Sequence, residues 1–238
     1  MHLIKRPKLE DVAKLAGVST ASISRCINNP KKVAEPTRLR IQSAIETLEY
    51  MPHFGGRALA SNRTNTIGAI IPSMDNAVFA SGLQAFQEVL SHARVTLLVG
   101  SSNYDPSQEF EQIQSLLSQG ADGLLLIGQD RPQKTQDFLR KHAIPHVLAW
   151  CFSTDISCSS VGFDNRKSAK KIAEHVISYG HQKLAIIAGL KAGNDRAKQR
   201  ILGIKDAVKE NPDTNIANIL LYNIIDGSYK KKSLQKKI

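Results

Sequence analysis

Three small residues, two of them polar, precede an arginine in one stretch near the start of the chain, where Thr20, Ala21 and Ser22 are followed by Arg25. On a helix, the first three would form the first turn and the arginine would lie in the next. A helix that begins with small polar residues after a tight glycine turn is how helix-turn-helix proteins enter the major groove of DNA. The chemistry that this stretch predicts is therefore contact with DNA.

Two short amphipathic helices, joined at Gly17, are predicted to position these side chains. Ser19 is a good N-cap for the second helix, and apolar residues recur at helical spacing in both. The apolar positions are Leu9, Val12, Ala13 and Ala16 in the first helix, and Ile23 and Ile27 in the second. A generic pair of packed helices would show the same pattern, so the charge of the segment is needed to choose between the two interpretations.

Positive charge is concentrated at the two ends of the chain. Residues 1–63 hold eleven Lys and Arg against five Asp and Glu, a net charge of +6. Residues 230–238 carry five lysines, whereas residues 64–229 hold equal numbers of both signs. A basic N-terminal module is the electrostatic footprint of a phosphate-binding domain. The neutral middle argues against nucleic acid running over the whole molecule.

The chain is long enough for this module and one larger domain. A third helix is predicted from about Pro36 to Glu49, and it ends before Pro52 because the residue preceding a proline disfavours the helical conformation. Three helices then form an all-α headpiece over residues 1–52. Residues 53–65 are rich in Gly, Ser, Asn and Thr, and we interpret them as a hinge linker.

Apolar runs alternate with amphipathic segments from residue 66 onward. Strands are predicted over 66–72, 95–99, 123–127, 145–150 and 183–188, with helices between them. This alternation is typical of βαβ units and a parallel sheet, in which ligands bind beyond the carboxyl ends of the strands. Residues 66–229 are therefore interpreted as an α/β domain, and residues 230–238 as a basic tail.

Three cysteines, Cys26, Cys151 and Cys158, form neither a CxxC pair nor an even disulfide set, which favours reduced thiols in a cytosolic protein. The first residues do not resemble a signal peptide, and no apolar run approaches the ~20 residues that span a bilayer. We therefore expect a cytoplasmic, nucleoid-associated protein with no membrane partner, no cofactor and no metal site.

Short motifs recur along the chain from about Lys8 to Asp213: Asp11-Val12-Ala13, Ala16-Gly17-Val18-Ser19, Ser24-Arg25, Asn28, Thr37-Arg38, Asp122-Gly123, Gly180-His181 and Arg200-Ile201-Leu202-Gly203. With these motifs the chain resembles the lactose-repressor (LacI/GalR) family of bacterial transcription regulators. The run from Gly162 to Asn165 is most similar to members that sense sugar acids such as gluconate. The resemblance implies a DNA-binding repressor of a sugar or sugar-acid operon, with a sensor similar to a periplasmic sugar-binding protein.

The resemblance also implies roles for individual residues in DNA binding. The positions that read base edges are Thr20, Ala21 and Arg25. The positions that contact phosphates are Ser19, Ser24, Asn28 and Thr37. Leu59 matches a hinge leucine that inserts into the minor groove of the bent duplex. Because such a wedge needs a partner chain beside it, we expect a homodimer on a palindromic operator in double-stranded DNA.

A small sugar or sugar-acid effector is expected to bind in the larger domain. The matching cleft positions are Asn76, Phe79, Asp164 and Arg200. Arg200 is expected to open a helix three residues before Gly203. An arginine and an aspartate that face one cleft suit a polyol or a sugar carboxylate. The same two residues would equally serve as a surface ion pair or as helix-end charges, so that alternative stays open.

The chain also departs from the family pattern. Ala34 replaces the usual serine or threonine cap of the third helix, and Gly55-Gly56 disfavours a helical hinge. Family members typically continue further, so the sensor is expected to be truncated at its C-terminus and its cleft incomplete. The alternatives are a non-functional remnant with weak DNA binding, or a sugar-binding protein. An enzyme is not expected, because no nucleophile–base set or phosphate-binding loop is evident.

Overall fold

The computed structural model describes residues 7–51, 63–155, 158–189, 193–225 and 228–232. The chain divides into two compact units, residues 1–64 and residues 65–238. The first unit contains the helical headpiece and the second contains the α/β domain. The hinge leucine, Leu59, and Gly55-Gly56 lie outside the described residues.

Three helices form the headpiece: α1 (Leu9–Ala16), α2 (Thr20–Asn28) and α3 (Glu35–Thr47), with a 3-10 turn at Pro30–Lys32 between the last two. Each helix contributes apolar side chains to one core, whose buried members include Val12, Ile23, Cys26, Ile41 and Ala44. Glycine is required at the α1–α2 turn because Gly17 has φ 63°, in the left-handed region. Ala34 provides no side-chain cap for α3, as the sequence predicts.

The α/β unit begins with a parallel sheet, which we call the first lobe together with its helices. Its strands lie in the order β2-β1-β3-β4-β5. They are β1 (Thr66–Ile71), β2 (Thr96–Ser101), β3 (Gly123–Ile127), β4 (His146–Ala149) and β5 (Ser160–Val161). The helices are α4 (Ala77–His92), α5 (Pro106–Ser118) and α6 (Gln133–Lys141). The predicted alternation of strands and helices is therefore confirmed for this lobe.

The second lobe consists of two helices and three strands, α7 (Asn165–Ser178), β6 (Lys183–Gly189), α8 (Asp195–Lys209), β7 (Asn215–Ile225) and β8 (Ser228–Lys232). β7 pairs with β6 in parallel, and β8 pairs with β7 in antiparallel orientation. The strand predicted over 183–188 corresponds to β6. The prediction of a tail from residue 230 is wrong for Lys230, Lys231 and Lys232, because these residues pair with β7.

Helices α7 and α8 lie unusually close because Gly203 has no side chain. A Cβ atom at this position would collide with the backbone carbonyl oxygen of Arg166. The Arg166 guanidinium also binds the Asp206 carboxylate with two hydrogen bonds of 2.6 and 2.9 Å. Lys170 donates to Glu210 at 2.7 Å one turn farther along. The helix pair therefore depends on a backbone approach that only glycine permits.

We predict that Gly203→Ala lowers the free energy of unfolding by about 1–3 kcal/mol, because the added methyl group must push α7 and α8 apart. Urea unfolding followed by circular dichroism measures this effect. Gly189→Ala is the matched control, since its Cβ would meet the Asn194 side chain at an ordinary 3.5 Å. Equal stability of the Gly203→Ala variant and the wild type would contradict the proposed role of this glycine.

Candidate DNA interface and effector cleft

Helix α2 has one buried face and one polar face. Ile23 and Cys26 are buried in the headpiece core, and Ile27 packs against that core. The side chains predicted to meet DNA are Thr20, Ala21, Ser24, Arg25 and Asn28. At 100° per residue these five positions share an arc of about 140° on the opposite side of the helix. Thr20, Ala21 and Arg25 are exposed, and Ser24 and Asn28 are half-buried.

Hydrogen bonds within the headpiece fix the start of this polar face. Ser19 is the N-cap of α2, and its Oγ accepts a hydrogen bond from the Ser22 amide at 3.3 Å. Asn28 donates to the Ser24 hydroxyl at 3.4 Å. Thr37 lies half-buried in the first turn of α3. The turn that begins α2 is thus held in place while its outward side chains stay accessible.

A second candidate site lies where loops of the first lobe meet the helix starts of the second lobe. Asp195, at the start of α8, accepts hydrogen bonds from the amides of Gln129 and Asp130 at 2.7 and 3.4 Å. Its other oxygen accepts from Arg196 Nη1 at 2.8 Å. Because Asp195 is buried, these bonds are strengthened by low solvent access. One carboxylate therefore joins the loop after β3 to α8.

The loop after β3 is itself held by a buried arginine. Arg131 donates from Nη1 to the carbonyl oxygen of Gly128 at 2.8 Å. Its Nη2 donates to the Glu109 carboxylate at 3.0 Å and to the carbonyl oxygen of Ile127 at 3.3 Å. The pair is buried, since 4% of the Arg131 side chain and 14% of the Glu109 side chain are exposed. This network fixes the wall of the cleft that Asp195 contacts.

Asn165 links the two lobes at a second point. It is buried at the start of α7 and donates from Nδ2 to the carbonyl oxygen of Trp150 at 3.0 Å. Its Oδ1 accepts a hydrogen bond from Arg200 Nη1 at 2.7 Å. Trp150 in turn packs edge-on against Phe79, and its ring lies where a Cβ of Gly82 would be. A chain of contacts thus runs from α8 through α7 to α4.

Between these contacts lies a cavity of about 190 Å³. Its polar lining comes from Gln129, Thr154, Asp164, Asn165, Arg196 and Gln199. Cys151, Phe152 and Phe163 supply an apolar part, and Arg166 and Asp195 complete the described lining. Phe152 and Phe163 are 54% and 52% exposed. The mixture of amides, charged groups and accessible aromatic faces is suited to a small hydroxylated ligand.

The structure brings one of the four predicted effector residues, Asp164, to this cavity. Asp164 is the N-cap of α7, where its Oδ1 accepts from the Lys167 amide at 2.9 Å. Arg200 contacts the cavity through Asn165, and the expectation that it opens a helix is wrong because α8 begins five residues earlier. Asn76 instead caps α4, and the apolar ring of Phe79 is buried against Trp150. Asn165, Asp195 and Arg196, which lie at this cavity, are not among the effector residues that the sequence predicts.

The described part of the chain contains no group of three or more His, Cys, Asp or Glu that could hold a metal ion. None of its helices is both long and apolar enough to cross a membrane. Cys26, Cys151 and Cys158 are free thiols.

Comparison with known domain families identifies both units. Residues 8–53 match the family described as bacterial regulatory proteins, lacI family. Residues 67–233 match a periplasmic binding protein domain. The headpiece belongs to the lacI family of bacterial regulatory proteins, and the larger unit is a periplasmic binding protein domain. These matches confirm the predicted all-α headpiece and the predicted α/β domain.

Two named relatives are similar to most of this chain. Catabolite control protein A of Staphylococcus xylosus is 31% identical over 214 residues, which are 90% of this chain and 64% of the relative. The HTH-type transcriptional regulator IdnR of Escherichia coli is 34% identical over 203 residues, 85% of this chain and 61% of the relative. The chain therefore spans less than two thirds of the length of either relative.

Solved structures of lacI-family regulators share the fold. A transcriptional regulator from Silicibacter pomeroyi has a TM-score of 0.81 at 27% identity, over 91% of this chain and 65% of that one. The lac repressor dimer bound to operator and the anti-inducer ONPF has a TM-score of 0.75 at 21% identity, over 92% and 66% of the two chains. The likeness to the lac repressor shows that the fold is common to both.

Burial raises the pKa of the Cys151 thiol, at the cavity wall, to about 11 from an ordinary 9.0. The unfolded chain loses this proton near pH 9 while the folded chain keeps it, so stability present below pH 9 is lost as the pH rises towards 11. We predict that the Cys151 thiol accounts for about 2–3 kcal/mol of the resulting decrease in the free energy of unfolding. Urea unfolding across this range should show a shallower decline for Cys151→Ala than for the wild type, and parallel declines would contradict the assignment.

Proposed function

We propose that this chain is a sequence-specific DNA-binding regulator that represses a sugar or sugar-acid catabolic operon. It binds a palindromic operator as a homodimer, and a small effector changes its affinity for that operator. It acts in the cytoplasm, associated with the nucleoid. The observation that carries the proposal is the exposed polar face of α2, which stands on a packed three-helix core inside the lacI-family match.

Thr20, Ala21 and Arg25 are proposed to read base edges in the major groove. Arg25 is exposed on α2, and within the described part of the headpiece no ion pair involves its guanidinium. It is therefore available to bind a guanine through two hydrogen bonds. The Thr20 hydroxyl offers a donor and an acceptor, and the Ala21 methyl group suits a thymine methyl group.

Ser19, Ser24, Asn28 and Thr37 are proposed to contact phosphates and so to set the register of the headpiece. The Ser19 oxygen already accepts the Ser22 amide as a cap. A serine hydroxyl can accept one hydrogen bond and donate another, so capping α2 is compatible with donation to a phosphate. Ser24 and Asn28 lie on the same arc of α2 as the base-reading residues, which supports their assignment to the same DNA surface.

The hinge is proposed to insert Leu59 into the minor groove, beside the same residue of a second copy. This proposal derives from the family resemblance. The lac repressor, which has the same fold, has been solved as a dimer bound to operator. An apolar wedge that unstacks a base step is stabilised by the surface gained when bent DNA contacts two protein chains.

The effector is proposed to bind in the cavity between the lobes, with Asp164 accepting hydrogen bonds from its hydroxyl groups. Arg200, through Asn165, holds the wall on which the effector rests. Phe79 and Asn76 are proposed to support this wall without touching the effector. Phe79 packs on Trp150, and Asn76 caps the start of α4. A ligand that favours one arrangement of the lobes would shift the population that binds DNA.

The proposal predicts that Arg25→Ala weakens binding to a duplex selected from a random pool by about 1–3 kcal/mol, because a base contact is lost. Fluorescence anisotropy measures the affinity for the selected and for an unrelated duplex. Arg40→Ala is the control, since Arg40 is exposed on α3 in the same headpiece. It should weaken binding to both duplexes to a similar extent. An Arg25→Ala protein that still prefers the selected duplex to the same degree would show that another element reads the bases.

A second expectation concerns the assembly. Multi-angle light scattering of the purified chain should give twice the 26.1 kDa chain mass when the selected duplex is present, after subtraction of the mass of the DNA. A single copy on each duplex at saturating protein concentration would contradict the dimer.

A further inference from the structure

We propose that Arg196, rather than Arg200, is the arginine that meets the effector, and that it makes the cavity selective for a hydroxylated carboxylic acid over the matching polyol. This inference rests on the proposed function, because it assigns the chemistry of the same effector cavity. It departs from the role that the family resemblance implies for Arg200.

Arg196 is placed for this role by burial and by the cavity that it lines. It is 6% exposed, and it lies next to Asp195 at the start of α8. Within the described residues its guanidinium makes one hydrogen bond, from Nη1 to Asp195. The planar guanidinium carries five N–H donors, so the others can bind a carboxylate in the cavity.

The neighbouring guanidinium groups also bind protein partners, and they differ from Arg196 in the number of these bonds or in their place outside the cavity lining. Arg166 also lines the cavity, but its Nε and Nη2 both bind Asp206. Arg131 binds Glu109 and two carbonyl oxygens. Arg200 is outside the described cavity lining and donates to Asn165. Of the two arginines in the described lining, Arg166 binds Asp206 through two hydrogen bonds and Arg196 makes one, so Arg196 keeps more donors for a ligand.

The electrostatic surroundings of Arg196 favour an anion. Asp195 is its counterion, but the same carboxylate also accepts the amides of Gln129 and Asp130. Burial lowers the pKa of Arg196, and burial followed by the charge of Arg196 lowers the pKa of Arg200. Both directions mean that the two cations are stabilised less here than in water. A ligand carboxylate beside Arg196 would relieve this cost, whereas a polyol would leave it.

The other lining residues suit the rest of such a ligand. Gln129, Thr154 and Gln199 offer donors and acceptors for hydroxyl groups. The Asp164 carboxylate can accept hydrogen bonds from ligand hydroxyl groups. Its negative charge is stabilised by the hydrogen bond from the Lys167 amide at the start of α7. The cavity of about 190 Å³ is small, so it favours one monosaccharide-sized molecule over a longer chain.

Matched pairs of acid and polyol probe this selectivity. The full chain is titrated in a calorimeter with D-gluconate and with D-glucitol. D-gluconate carries a carboxylate where D-glucitol carries a hydroxymethyl group. D-glucuronate and D-glucose form a second pair with a closed ring. The wild type should bind at least one acid more than tenfold more tightly than its neutral partner.

The arginine variants then separate the possible sources of selectivity. Arg196→Gln should reduce acid affinity at least tenfold and abolish the preference over the polyol. Arg166→Gln, a control at the same cavity, should keep that preference, and Arg200→Gln should keep it even where overall affinity falls. Because Arg196→Gln leaves Asp195 without its counterion, the double variant Asp195→Asn/Arg196→Gln is tested as well, and circular dichroism checks that each variant is folded.

Each outcome bears on a different statement. Equal binding of acids and polyols by the wild type leaves an effector cavity but overturns the selectivity proposed for Arg196. Loss of acid preference in Arg200→Gln and its retention in Arg196→Gln returns the role to Arg200. Absence of binding by all four probes overturns the inference, whereas DNA binding, measured separately, decides whether the proposed regulator stands.

Discussion

The headpiece depends on one short helix meeting two opposite demands. The nine residues of α2 bury Ile23 and Cys26 to hold α1 and α3 together, and they also leave Arg25, which we propose to contact DNA, in solvent. The helical repeat of 3.6 residues makes both possible, because residues three and four apart share a face while intervening residues lie opposite. Gly17 and the Ser19 cap fix where α2 begins. Everything proposed about base reading follows from that starting point.

The α/β unit is organised by a comparable constraint at Asp195. A buried carboxylate needs several donors, and here they come from the loop after β3 and from Arg196. The same bonds that satisfy Asp195 bring the lobes together and leave the Arg196 guanidinium at the edge of a cavity. Asn165 joins the lobes at a second point through Trp150. An effector in this cavity would touch groups of both lobes, which is how a ligand acquires a different affinity for two lobe arrangements.

Periodicity predicted the headpiece and the first lobe because each element there buries one face or stripe of apolar residues. Periodicity did not predict the features that depend on contacts between distant parts of the chain. Leu39, an apolar residue of the third helix, is 56% exposed because α3 turns Ile41 inward. Arg196 carries no sequence signal, since the role proposed for it depends on Asp195, which accepts a hydrogen bond from a loop 66 residues away in the chain. Asn194 is an N-cap that could have placed the start of α8 correctly. Pairing of the lysines in β8 depends on β7 and could not be read from composition.

The central claim is that the exposed face of α2 selects a DNA sequence as part of a symmetric pair. The most direct measurement is to sequence the duplexes that the purified chain retains from a random pool. The account predicts that they share an inverted repeat of two half-sites, because the headpieces of a two-fold dimer read the same bases on opposite strands. Retained duplexes with no common sequence, or with an unpaired single half-site, would contradict it.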